Sequence, residues 1–268
     1  MMFQEKNQVL QNENLGNSYF RISLLCSRGY PDAKPGQFIM LRFGDQTAPL
    51  LRRPFSIHRL IMEKEKTVGI EILYKVVGKC TQKLSTYKKG DNTDILGPLG
   101  NSFHIPDDAG RIFFAAGGVG VAPLVFLAHF MNGKGADLSK YRVFIGGRSK
   151  NDLLCENDFL SLGIQVHTTT DDGSAGEKGF VTESLEREIK KNRPDIICAC
   201  GPSPMLTAVA KTAATYEIPC QVSVETIMAC GMGVCLGCAV EKSDDADKYM
   251  HVCADGPVFD TKTLLMPG

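Results

Sequence analysis

The residues with the clearest chemical potential are four cysteines near the end of the chain. Cys230, Cys235, Cys238 and Cys253 are spaced C-x4-C-x2-C-x14-C, the C-x4-C-x2-C…C pattern of a plant-type [2Fe–2S] cluster. Gly231, Gly233 and Gly237 are interleaved with them. They are expected to take positive φ and to bring backbone N–H groups to the sulfurs, where they stabilise the negative cluster. The rival chemistry is a structural zinc site. Zinc sites usually show two C-x2–4-C pairs, whereas here the far side offers only Cys253, with His251 as the competing fourth ligand.

Other cysteines carry no such pattern. Cys26, Cys80, Cys155, Cys198, Cys200 and Cys220 are dispersed along the 268 residues and are expected to fill apolar space. The first twenty residues are polar and lack the charged start and apolar run of a secretory signal, so a cytoplasmic chain is expected. In that compartment cysteines serve metals or catalysis more often than disulfides.

A second constellation is Phe113-Phe114-Ala115-Ala116-Gly117-Gly118-Val119-Gly120, with Pro123 where a helix can begin. Gly117, Gly118 and Gly120 leave room for a pyrophosphate to approach backbone N–H groups. A tight packing turn is the alternative, since this is not a true G-x-G-x-x-G. Cys198-Ala199-Cys200-Gly201-Pro202 also ends an apolar strand in a turn, and in a doubly wound sheet both turns can line one crevice.

A third is Arg53-Pro54-Phe55-Ser56, which combines a phosphate-binding fork, an aromatic ring and a hydroxyl. Downstream come Leu73-Tyr74-Lys75 and Cys80-Thr81, with Thr81 expected at a helix N-cap. Taken singly, these groupings are more simply read as ordinary surface loops.

The elements that position these groups fall into three compositions. Up to about residue 106, short strands are expected over Tyr19–Cys26, Gln37–Phe43, Phe55–Leu60, Thr67–Val77 and Asp94–Leu96, with one helix over Thr81–Lys88. That is the pattern of an antiparallel barrel. From Arg111 apolar strands alternate with helices at Ile112–Ala116, Ala122–Met131, Arg142–Ile145, Gln165–Thr170, after Thr182, and at Ile196–Ala199, which implies a parallel sheet. From Gln221 the chain is rich in Cys, Gly and Met, with an acidic stretch from Ser243 to Lys248. The expected organisation is multidomain, α/β and β: a flavin-binding antiparallel β-barrel over 1–108, a nicotinamide-binding parallel-sheet domain over 109–220, and a [2Fe–2S] module over 221–268.

Composition excludes some partners. Thirty basic and thirty acidic side chains cancel, so the broad positive field needed for nucleic acid or an anionic membrane is missing. The twenty residues Ile112 to Met131 lack any Lys, Arg, Asp or Glu, but their glycines and Pro123 cut the run into strand, turn and helix rather than a membrane span.

In order along the chain, Arg53-Pro54-Phe55-Ser56, Gly97-Pro98-Leu99-Gly100, Gly117-Gly118-Val119-Gly120, Thr170-Asp171-Asp172-Gly173-Ser174, Cys200-Gly201-Pro202 and Met228-Ala229-Cys230-Gly231-Met232-Gly233-Val234-Cys235-Leu236-Gly237-Cys238 resemble the electron-transfer subunit of type B dihydroorotate dehydrogenase, a branch of the ferredoxin–NADP reductase superfamily. The resemblance covers nearly the whole chain. It implies a barrel holding FAD, a domain for NAD(H), and a terminal [2Fe–2S] module docked on an FMN-bearing catalytic subunit, in a heterotetramer of two of each chain. Arg53 would then meet the FAD phosphates and Ser56 the flavin N5 region, with further FAD contacts at Leu73, Tyr74, Lys75 and the Cys80-Thr81 pair. The family has glycine in place of Cys80. Cys200 would lie near the reactive nicotinamide carbon.

The implied activity carries electrons from the partner's FMN, reduced as dihydroorotate becomes orotate in pyrimidine biosynthesis, through the cluster and FAD to NAD+. No residue constellation here suits proton abstraction from a dihydropyrimidine, and a (β/α)₈ barrel needs about 250 residues of its own. Two rival readings are a nicotinamide-linked subunit of a hydrogenase, sulfite reductase or electron-bifurcating transhydrogenase, and a redox sensor without turnover.

Overall fold

A computed structural model describes residues 2–26, 30–43, 50–243 and 248–266. Residues 244–247 of the acidic stretch lie outside the described residues.

The first sheet contains β1 (Phe3–Gly16), β2 (Tyr19–Leu25), β3 (Phe38–Arg42), β4 (Arg53–Ser56), β5 (Arg59–Glu63), β6 (Lys66–Lys75) and β7 (Asn92–Leu99), in the order β4-β3-β7-β1-β2-β6-β5. Sequence reasoning passes over β1, yet it is the middle of the sheet, paired antiparallel with β2 and β7. Its side chains hide it. Among its 14 residues only Asn7 and Val9 are buried, so neither alternation nor β-branching marks a strand. What holds it is the ladder on both sides, and Asn7 adds a 2.7 Å bond from Nδ2 to the Leu25 carbonyl.

The expected single strand over Phe55–Leu60 is two. Ile57 N–H donates to the Gln37 carbonyl and His58 N–H to the Glu71 carbonyl, so the chain changes partner between β3 and β6 at that point. The expected helix over Thr81–Lys88 is α1 (Lys79–Ser85), and its N-cap is Gly78, not Thr81. Thr81 lies inside the first turn and its hydroxyl points back, accepting from the N–H groups of Val77 at 2.9 Å and Gly78 at 3.2 Å. A hydroxyl used this way closes the turn before the helix.

The second sheet begins with β8 (Ile112–Gly117), α2 (Val121–Gly133) and β9 (Arg142–Gly147). It continues through α3 (Glu156–Leu160), β10 (Gln165–Thr170), β11 (Glu177–Lys178), α4 (Val181–Lys191), β12 (Ile196–Cys200), α5 (Ser203–Thr215) and β13 (Cys220–Ser223). A short antiparallel pair, β14 (Ala239–Glu241) and β15 (Tyr249–His251), precedes β16 (Val258–Asp260). The sheet order is β11-β10-β9-β8-β12-β13-β16, parallel except for β16. Every residue of β8 and of β12 is buried, as strands covered on both faces require. The long uncharged run is β8, a turn and α2, and no helix of the described residues is long and apolar enough to cross a membrane.

Three contacts lock the parts together. α2 is apolar on most sides because it serves two cores: Leu124 and Val125 join the parallel-sheet core, while Phe126 enters the barrel core. Asn101, just after β7, donates from Nδ2 to the carbonyls of Asp255 and Val258 and accepts the Val258 N–H at 3.0 Å. Finally, β13 and β16 carry the cysteine-rich segment into the edge of the parallel sheet.

Candidate functional site

The hairpin of β14 and β15 explains how Cys253 reaches the other three thiols. Ala239 pairs with His251, and Val252 N–H donates to the Cys238 carbonyl at 3.0 Å, so Cys238 and Cys253 stand side by side with their Sγ atoms 3.2 Å apart. Both are 2% exposed, Cys230 is half-buried and Cys235 is exposed. The loop offers N–H donors to the sulfurs, as expected: Gly233 to Cys253 at 3.0 Å, and Met232 and Cys235 to Cys230 at 3.4 Å each. Burial alone would raise the Cys230 thiol, but the N–H groups of Met232, Cys235 and Val234 outweigh it and hold it down to about 6.

Gly231 and Gly233 have φ of +75° and +81°. The third positive φ falls on Leu236, at +58°, and not on Gly237. A zinc site would need its ligand atoms packed around one ion. Among the described residues, no three of these thiols and the His251 imidazole lie within 4.8 Å of one another. His251 is instead tied to Asp255, its main-chain N–H donating at 2.6 Å and its Nδ1 lying 3.7 Å away. A paired Cys238–Cys253 and a separate Cys230 with its own donors suit two iron positions better than one zinc ion.

In the barrel, the two expected flavin segments meet. Phe55 of β4 packs edge-on to Tyr74 of β6, ring centroids 6.1 Å apart. Tyr74 stacks on Phe20 and donates its hydroxyl to Asn12, and Leu73 is 5% exposed, so these two offer backbone rather than side chains. Adjacent arginines part company. Arg52 is committed, with Nη2 2.9 and 3.0 Å from the two carboxylate oxygens of the buried Asp94. Arg53 spends only Nη1, on the Leu51 and Arg52 carbonyls, and is the arginine left to meet a phosphate. Ser56 is half-buried at the end of β4. Cys80 packs its side chain on the barrel core.

The β10-β9-β8-β12-β13 order is 3-2-1-4-5 in chain order, which places the topological switch between β8 and β12. Gly117–Gly120 and Cys200–Pro202 end those two strands, and they pack against each other. A β-carbon on Gly120 would stand 2.3 Å from the Cys200 carbonyl oxygen, and one on Gly117 would stand 2.7 Å from Pro202. A cleft of about 830 Å³ opens above them. Gly117, Gly118, Gly120, Gly201 and Pro202 line it from one side, and Tyr19, Lys75 and Val77 of the barrel from the other. Tyr19 donates to Asp152 at 2.6 Å, and Lys75 reaches both Tyr19 and Asp152, at 2.9 and 3.3 Å. This triad joins the barrel to the nicotinamide domain across the cleft.

Cys200 lies beneath the cleft wall, 2% exposed. Burial, then the Glu225 carboxylate, pushes its thiol up, so it is a neutral group that shapes the site. Glu225, which no motif marked, lines the cleft beside Gly201. Its side chain is exposed, and partial desolvation against the cleft wall raises its carboxyl above the usual range. The one signal for it in the sequence is its place between an apolar strand and the cysteine loop. Of the remaining dispersed cysteines, Cys26, Cys198 and Cys220 are buried, whereas Cys80 and Cys155 are half-buried.

One contact links the cysteine loop to the barrel. A β-carbon on Gly231 would stand 2.5 Å from Cγ of Met40, and Met40 pairs with Pro54 in the β3–β4 ladder. Cys230 is thus one residue from a backbone seated on the strand pair that carries Arg53–Ser56.

Comparison with known proteins agrees with this geometry. Residues 225–265 match the family described as iron-sulfur cluster binding domain of dihydroorotate dehydrogenase B, and residues 114–211 match the oxidoreductase NAD-binding domain. The chain is 39% identical over 228 residues to the dihydroorotate dehydrogenase B (NAD(+)), electron transfer subunit, of Desulforamulus reducens, covering 85% of each. It is 37% identical to the protein of that name from Caldanaerobacter subterraneus subsp. tengcongensis, covering 99% of this chain and 100% of the relative. Among solved structures, an NADH-dependent reduced ferredoxin-NADP oxidoreductase studied for flavin-based electron bifurcation superposes with a TM-score of 0.83 at 29% identity, over 97% of this chain and 90% of that one. A ferredoxin NADP+ reductase from Neisseria gonorrhoeae with bound FAD and NADP shares the fold, with a TM-score of 0.66 at 15% identity over 79% of this chain and 91% of that one.

Proposed function

The chain belongs to the family of dihydroorotate dehydrogenase B electron transfer subunits, and on that premise we propose which residues hold its cofactors and what it docks against. It is an oxidoreductase subunit, and its cofactors are FAD, a [2Fe–2S] cluster and NAD. When bound, FAD exchanges a hydride with NAD(H) and single electrons with an iron–sulfur cluster, which is why a flavin stands between them. Cys230, Cys235, Cys238 and Cys253 hold the cluster, and the N–H groups of Met232, Gly233 and Cys235 temper its charge.

Arg53 takes the FAD phosphates, Pro54, Phe55 and Ser56 present the flavin edge, and the backbone of Leu73–Lys75 with the turn at Cys80-Thr81 completes the seat. Gly117, Gly118 and Gly120 admit the nicotinamide pyrophosphate. Cys200 keeps the wall under the nicotinamide narrow and dry. Residues 1–108, 109–220 and 221–268 are the FAD, NAD and cluster segments in this reading.

The observation that supports the proposal is the seating of Gly231 on Met40, because the cysteine loop then packs on the β3–β4 pair that carries Arg53–Ser56. The partner is an FMN-bearing dihydroorotate dehydrogenase catalytic subunit, two of each chain to a cytoplasmic heterotetramer. It meets the apolar tip of the cysteine loop, where Val234 is 75% exposed and Leu236 60%. Purified protein should show flavin and iron–sulfur absorption bands, two irons and two acid-labile sulfides per chain, and NADH oxidation with an artificial dye, and it should copurify with the FMN protein. Replacing any one of the four cysteines with Ala should abolish the iron. Stoichiometric zinc, or iron that survives all four replacements, refutes the cluster assignment. A Leu236→Asp variant with full iron content and normal assembly refutes the docking face.

A further inference from the structure

Three side chains that line the cleft come from both sides of it and meet. Tyr19 opens β2 and Lys75 closes β6, and the two residues pair across the barrel ladder. Asp152 ends a single 3₁₀ turn, Lys150–Asp152, that follows β9. Its Oδ1 accepts the Tyr19 hydroxyl at 2.6 Å and lies 3.3 Å from Lys75 Nζ. Lys75 also donates to the Tyr19 oxygen at 2.9 Å. Tyr19 is 2% exposed and the Asp152 side chain 18%, so water competes little for the bond between them. Burial alone would raise the Asp152 carboxyl, but the bonds from Tyr19 and Lys75 outweigh it and hold it below the usual range.

Each member is also seated on a part of the nucleotide machinery. Asp152 packs on the end of β9: a β-carbon on Gly147 would stand 2.9 Å from its own, and its Oδ2 accepts the Ser149 N–H at 3.3 Å. Gly146, next to Gly147, pairs with Gly117, the first glycine of the pyrophosphate turn. The Tyr19 hydroxyl is the nearest atom to a β-carbon placed on Gly118, at 3.9 Å, so it faces that turn from the barrel side. Lys75 belongs to the segment assigned above to the FAD seat. Two other joints, Phe126 of α2 in the barrel core and the Arg59–Asp158 pair between β5 and α3, involve no residue that lines the cleft. They keep the barrel and the parallel sheet together when the triad is broken.

We infer that Asp152 is a positioning residue for hydride exchange: through Tyr19 and Lys75 it holds the glycine turn and the end of β9 at one distance from the flavin seat. The reaction is steep in that distance, since a misplacement of about 1 Å can cost about a hundredfold in rate. Binding of the diphosphate is not, because the glycine turn that admits it belongs to the nicotinamide domain alone. Loss of the triad therefore separates the rate from the affinity. This inference rests on the nicotinamide and FAD readings above and adds to them the residue that sets the distance between the two.

The test is stopped-flow reduction of FAD by NADH in the cofactor-loaded protein, in which a hydride, two electrons with one proton, leaves NADH as NAD+ and reduces the flavin. Calorimetric binding of ADP-ribose is measured alongside. Asp152→Ala should slow the step about tenfold or more, with ADP-ribose affinity, FAD and iron as in wild type. Asp152→Asn, which can still accept the Tyr19 hydroxyl, should recover part of the rate. The long-wavelength charge-transfer absorption of stacked flavin and nicotinamide should weaken in the same order. Tyr19→Phe combined with Asp152→Ala should be no slower than Asp152→Ala alone, because the two remove one shared bond. If wild type neither binds ADP-ribose nor passes hydride from NADH to FAD, the nicotinamide reading fails and this inference with it. If wild type does both and Asp152→Ala keeps the rate, the positioning role alone is overturned. Loss of ADP-ribose binding or of FAD in step with the rate also overturns it, since a merely structural role predicts that result.

Discussion

Gly231 and Met40 touch as backbone against side chain: no β-carbon fits between them, since one would lie 2.5 Å from Met40 Cγ and 3.0 Å from its Sδ. Gly231 also has φ of +75°, a conformation that costs an L-residue about 1–2 kcal/mol. Gly231→Ala therefore meets both a steric and a conformational penalty. It should lower the melting temperature and loosen the cluster loop from the barrel, so that iron content falls and electron exchange between cluster and flavin slows. Rapid-mixing spectroscopy of the iron-replete fraction checks the rate. A variant with wild-type stability and transfer would show that the contact does not set the distance.

Arg52 and Arg53 should give opposite phenotypes. Arg52→Ala removes the guanidinium that meets both oxygens of the buried Asp94, which keeps Arg42 at 3.3 Å and Gln4 at 3.1 Å, so the loss should fall short of the about 3–5 kcal/mol of a fully broken buried pair. Unfolding in urea should show it as reduced stability. Arg53→Ala breaks only bonds to local carbonyls and should leave the midpoint of the FAD-free protein unchanged while FAD is lost on gel filtration. Full FAD retention by Arg53→Ala would make it a surface charge.

Cys200→Ser keeps size but puts a hydroxyl where the wall is 2% exposed. Because the native thiol is held protonated, no proton transfer is lost. The expected effect is on the placement of the nicotinamide ring: kcat with NADH should fall about tenfold or more while FAD and iron stay stoichiometric. Unchanged turnover removes Cys200 from the site.

Glu225 gives a pH signature. Its carboxyl is raised in the folded protein, so between the free value of about 4.3 and the raised one the native state holds more protons than the unfolded state. Stability then falls as pH rises through that window. Glu225→Gln stays neutral and should be more stable than wild type above the window, the difference vanishing below about pH 4.3. Comparing the two proteins cancels Glu71, whose carboxyl burial also raises. Parallel stability curves from pH 4 to 8 would show that Glu225 is not desolvated.

What could be read in advance follows from how chemistry constrains sequence. Four cysteines at fixed spacing have few alternatives, so an iron–sulfur segment was legible, and the buried strands β8 and β12 announced the parallel sheet by their unbroken apolar runs. β1 was illegible because a strand paired on both edges needs no apolar alternation of its own. The difference between Arg52 and Arg53 was invisible because it depends on Asp94, far along the chain. Glycine at 237 suggested a positive φ there, but Leu236 takes it, since the loop needs the turn one residue earlier. Glu225 left no signal beyond being an acid after a strand end, and only the cleft gives it meaning.

The clasp of Asn101 on Val258 joins groups 157 residues apart. The ribosome completes the barrel, and nearly all of the nicotinamide domain, before it makes either Cys253 or the strand that Asn101 holds. Three thiols therefore emerge ahead of the fourth, on a loop whose seat at Met40 already exists. With the four cysteines as ligands, iron would be fully held only after residue 253 has left the exit tunnel, and β16 is the last strand of the sheet to be made. Loading of a cluster on these four thiols would in this way follow the order of synthesis.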